Sequence, residues 1–256
     1  MSLVELCACH HMVMSNPVLT RSFDEKKLPQ QPIVEPTSGV MTTESVGRHA
    51  ALLFGITAVF AIGGWVVLET VPRQLLLIGI LVGFGLVLLA SFKPNLAPYV
   101  AVPYAVIEGV VVGAISRMFE TAYSGIVVQA LLATLITFAV MLALYITRTI
   151  RVTQRMRSVI IGATAAIALF YLVTIGLSFF NIEMPLVWDS GPLGILFSVA
   201  VCALAVFNLM LDFDFIERGI KARMPSHMSW LAAMGLLVTV VWLYLEILRL
   251  LAKVRD

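Results

Sequence analysis

Charge is scarce in this sequence. Asp, Glu, Lys and Arg make up 12% of 256 residues, against 60% hydrophobic residues, whereas soluble domains carry nearer a quarter charged residues. The mean hydropathy is +0.99. No soluble fold of this length has enough interior to hide so much apolar surface, so an integral membrane protein is expected. Cysteine is nearly absent as well. Cys7, Cys9 and Cys202 are an odd, widely spread set and exclude a disulfide framework. Histidine is limited to His10, His11, His49 and His227, in tail, link or span-edge positions. There is no HExxH, no phosphate loop and no GxSxG, so no enzyme signature competes. Net charge is only +2, and the basic residues fall in short clusters between apolar segments. That suits membrane orientation rather than nucleic-acid binding.

What is present is a polar tail followed by seven apolar runs. Residues 1–48 hold several Pro, Ser and Thr with little periodicity and read as a disordered cytoplasmic tail. "CACHH" at residues 7–11 resembles a metal clip, but "MSNPVLTRSF" from Met14 would be a natural start, so residues 1–13 read as an upstream extension or as disordered chain. No cleavable signal peptide is visible. The apolar runs cover about 49–69, 74–92, 99–117, 125–147, 158–180, 192–214 and 229–251. Each is near the roughly 20 residues a bilayer demands, and none shows strand alternation, so seven helices are predicted over residues 49–256.

The distribution of Lys and Arg sets the orientation. One side receives Arg21, Lys26, Lys27, Arg48, Lys93, Arg148, Arg151, Arg155, Arg157, Arg218, Lys221 and Arg223. The other receives Arg73, Arg117, Arg249, Lys253 and Arg255. The N-terminus is therefore expected in the cytoplasm and the C-terminus on the opposite side. Gly79/Gly83 and Gly109/Gly113 are GxxxG pairs that let helix backbones approach closely.

A few acids sit at lipid depth, where carboxylates are expensive. Asp214 has Arg218 four residues later and Glu217 has Lys221, both in the favourable order, so a solvated helix end accounts for them. Asp212 points about 200° away from Asp214 and meets only Phe215 and Ile216 ahead. Asn208, one turn back, is expected to donate to it. Burial disfavours the ionised form, which makes Asp212 a candidate proton or cation sensor. Glu108 lacks a charged partner on its own helix, and Glu246 has Arg249 three residues on. An intramembrane aspartyl protease would need two such aspartates on facing helices, and only Asp212 is well placed. Arg117 lies near a span end, where snorkelling accounts for it.

The ordered set "NPVLTRSF", "YAVIEGVVVGAISRMFE", "LDFDFIERG" and "LYLEILRLL" resembles the Bax inhibitor-1 family, most closely its bacterial YccA-like branch, over about residues 14–256. The resemblance implies a fold whose last helix is central and wrapped by two three-helix layers. It also implies a pH-sensitive calcium leak with Ca²⁺ as permeant ion and no cofactor, in a bacterial inner membrane. Asp212 and Glu246 match the two acids that form the family's gating pair, with Asp214 and Glu108 as further ion-handling candidates. Lys93, or Arg117, stands nearest to the basic residue that engages the pair in some members. Two departures stand against this. The second acid is Glu rather than Asp. On straight helices Asp212 lies near the cytoplasmic end, roughly 28 Å along its span, while Glu246 lies about 27 Å beyond the entry of helix seven. The position at matching depth is nearer Thr239. Either helix six reaches deeper, or the pair is built differently, with Glu108 for example. The alternative function is a non-channel regulator of a membrane-bound protease, acting through the cytoplasmic tail. The expected partners are membrane lipid, Ca²⁺ and protons.

Overall fold

A computed structural model describes residues 39–67, 73–147, 152–178 and 191–255. The expected tail, with its "CACHH" segment, falls outside the described residues except for its last ten positions. The described chain is seven α-helices, each long and apolar enough to cross a membrane. They are α1 (Thr43–Val67), α2 (Arg73–Phe92), α3 (Ala97–Ala122), α4 (Ile126–Ile146), α5 (Gln154–Ser178), α6 (Pro192–Lys221) and α7 (His227–Arg255). The protein is thus an all-α seven-helix membrane protein.

The helix ends show why the runs begin and stop where they do. α1 starts six residues before the apolar run. The Ser45 amide donates to the Thr42 hydroxyl (3.1 Å) and the Thr42 amide to the Ser45 hydroxyl (3.0 Å), a reciprocal cap that satisfies two exposed amides. The helix therefore extends past the apolar boundary into Glu44 and Arg48. α3 is entered through a 3₁₀ turn at Pro94–Leu96 and carries Pro103 inside it. The α3–α4 turn pivots on Gly125 at φ +78°, a conformation glycine adopts without a Cβ penalty. There the Glu120 carboxylate accepts the Gly125 and Val127 amides (2.6 and 3.1 Å), placing negative charge at the start of α4.

α7 is the central helix. It packs against α1, α3, α4 and α6, while α2 lies on α3 and α5 lies on α6. The surrounding helices thus form two groups of three, α1–α3 and α4–α6. In lipid there is no hydrophobic drive between helices, so close packing has to hold them together. The tightest seam runs between α1 and α3. A Cβ on Gly113 would lie 1.9 Å from the Ala61 carbonyl oxygen, and one on Gly109 2.6 Å from that of Thr57. Gly64 of α1 meets the Val110 carbonyl in the same way, at 2.2 Å. Of the two GxxxG pairs, Gly109/Gly113 is therefore a backbone-to-backbone contact. Gly79 and Gly83 of α2 face side chains of α3 instead, Val111 and Glu108.

Candidate functional site

α6 carries Asp212 against the face of α7 that holds Gly235 and Thr239. A Cβ on Gly235 would lie 3.9 Å from Asp212 Oδ1, and the Thr239 side chain, one turn on, lies next to it. The missing side chain at Gly235 is what lets the carboxyl come so close. The other oxygen, Oδ2, is buried with no hydrogen-bond partner among the described residues. Asn208 does not supply one, contrary to the expectation from spacing. Its amide nitrogen donates to Thr164 Oγ1 of α5 (2.8 Å) and to the Leu204 carbonyl (2.9 Å). Both amide hydrogens are thereby engaged, and the side chain turns toward α5 rather than toward Asp212.

The Thr239 hydroxyl donates to the Gly235 carbonyl (3.2 Å), so its one proton is engaged within α7.

Glu246 sits elsewhere on α7, about seven residues beyond Thr239 and thus about 10 Å further along the axis. Its side chain is 2% exposed. Arg249 Nη1 donates to both carboxylate oxygens (3.0 and 3.1 Å), Trp242 Nε1 donates to Oε1 (3.2 Å), and the Tyr171 hydroxyl of α5 donates to Oε1 (2.8 Å). Arg249 also donates to the Tyr171 oxygen (2.6 Å) and lies over its ring, 5.1 Å from the centroid. A cation seeking Glu246 would have to displace a guanidinium. Asp212 and Glu246 consequently share no bond, and Asp212 faces α7 at Gly235, one turn before Thr239.

The remaining sequence candidates are placed as follows. Asp214 pairs with Arg218, and Glu217 is bonded to Lys221 and to the Tyr145 hydroxyl of α4. Glu108 lies one turn on from Tyr104 along α3, and its Oε2 lies against Gly83 of α2. It does not join Asp212. Arg117 lies over the Trp65 ring, 5.4 Å from the centroid, and Lys93 is exposed. Neither is bonded to Asp212 or Glu246. Sequence reasoning missed Tyr171, a hydroxyl in the middle of an apolar run. Buried tyrosine hydroxyls usually find a partner, and that was the available signal. No group of three or more His, Cys, Asp or Glu among the described residues could hold a metal.

A family model described as Bax inhibitor 1 like matches residues 16–256 of the chain. No curated protein matches it.

Proposed function

Because the chain belongs to the Bax inhibitor 1 like family, we propose that it is a pH-sensitive cation leak, with Ca²⁺ as the permeant ion and Asp212 as the gate. The observation that supports this is the buried, unpartnered Oδ2 of Asp212 beside Thr239. A hard cation or a proton is the species such an oxygen takes up. The carboxyl lies against the central helix α7, which touches four other helices. The protein performs no catalysis and needs no cofactor in this reading. Its setting is a bacterial inner membrane, with α1 starting on the cytoplasmic side, as the Lys and Arg distribution favours.

The test is Ca²⁺ uptake into proteoliposomes across a pH series, comparing the wild-type chain with Asp212→Asn. Flux that depends on pH and becomes absent or pH-independent in Asp212→Asn is the expected result. An unchanged pH response in the variant would remove Asp212 from the gate. No flux above empty liposomes, with the protein folded, would end the leak reading. It would leave the regulator of a membrane-bound protease, recognised through residues 1–48, as the reading to pursue.

A further inference from the structure

α5 is the least embedded helix of the bundle. Only 6% of its most apolar window is buried within the protein, against 61% for α7. It is attached to α6 by the Thr164–Asn208 hydrogen bond and by the edge-to-face contact of Phe170 with Phe197, 5.6 Å between centroids. Its polar connection to α7 is different in kind. The Tyr171 hydroxyl inserts between Glu246 and Arg249, donating to one and accepting from the other. Glu246 and Arg249 are already bonded to each other along α7, so the socket exists without Tyr171. The hydroxyl therefore docks α5 onto α7 without being needed to neutralise the buried charges. Cys202 of α6 lies along that helix between Phe197 and Asn208, two residues that meet α5.

We propose that α5 is a hinged side wall of the bundle, attached along α6 and latched to α7 by the Tyr171 hydroxyl in the Glu246–Arg249 socket. Release of the latch opens the space between α5 and α7 around Cys202. Tyr171 is a positioning residue for this wall. The inference stands apart from the leak reading, since it concerns access to the bundle interior and needs no ion gradient.

The test uses the full chain with Cys7 and Cys9 replaced by Ser, which leaves Cys202 as the sole thiol. Labelling rates with N-ethylmaleimide and with the bulkier fluorescein maleimide are measured in liposomes. Tyr171→Phe removes only the hydroxyl and is expected to speed labelling roughly three- to tenfold, the range that one interhelical hydrogen bond in a membrane supports. The bulkier reagent should gain more, because access and not thiol chemistry has changed. Thr164→Val removes the bond on the hinge side and should leave the rate near wild type. Should Tyr171→Phe fail to fold, Glu246→Gln tests the same latch from α7 and should also accelerate labelling. Three results would overturn the proposal: an unchanged rate in the latch variant, equal scaling of both reagents, or equal acceleration by Thr164→Val.

Discussion

Glu246 receives hydrogen bonds from Tyr171, Trp242 and Arg249, whereas Asp212, on the helix beside it, has one oxygen buried with no partner among the described residues. Both carboxyls lie within membrane-spanning helices, and both stood out in the sequence for that reason. The difference lies in who answers them. Around Glu246 each negative oxygen meets a donor, and the arrangement gains nothing from a visiting cation or proton. Around Asp212 one oxygen meets no donor among the described residues, and adding a proton or a cation relieves that deficit. Burial alone therefore does not mark a working carboxyl. The count of donors against acceptors separates an acid that holds helices together from one that responds to what arrives.

Breaking the satisfied acid should have the largest effect on stability. Glu246→Ala removes the carboxylate that pairs with Arg249, whose side chain is 21% exposed. Removing one member of such a pair costs about 3 kcal/mol, readable as a lowered thermal midpoint in detergent. A loss below about 1 kcal/mol would make Glu246 equivalent to a surface acid and erase the contrast. A smaller effect is expected at the other acid. Thr239→Val removes the hydroxyl beside Asp212 together with its bond to the Gly235 carbonyl, and should cost about 1 kcal/mol. It should also alter the pH response of flux, which Glu246→Gln should leave in place. If the two variants exchange these outcomes, the roles of the two acids are reversed. The smallest effect belongs to Asp214→Asn. Its partner Arg218 is 42% exposed, and such an ion pair contributes less than about 1 kcal/mol. Equilibrium unfolding that shows a larger loss would add Asp214 to the set of structurally essential acids.

Hydropathy made the seven helices legible, since a bilayer enforces length and continuity on every span. The start of α1 was not legible, because the Thr42–Ser45 cap carries the helix past the apolar boundary. The Gly109/Gly113 spacing announced a close contact, and helix rise alone brought Thr239 to the depth of Asp212. Side-chain direction was harder to read. Asn208 stands one turn from Asp212, yet its amide serves Thr164 on another helix, and nothing in a single sequence shows which neighbour a rotamer will choose. The Glu246–Arg249 spacing pointed to a pair within α7. The third member, Tyr171, arrives from a helix about 75 residues earlier, and only the folded bundle brings it there.

The seam between α1 and α3 carries a consequence for biosynthesis. α1 enters the bilayer with the carbonyls of Thr57 and Ala61 shaped to receive Gly109 and Gly113, which the ribosome has yet to make. At roughly 5–20 residues per second, the ~50 residues between Ala61 and Gly113 take roughly 3–10 seconds to synthesise. For that interval α1 stands in the bilayer without the helix it packs on most closely. The seam thus fixes an order as well as a contact: α1 closes on its main neighbour only once α3 has been made.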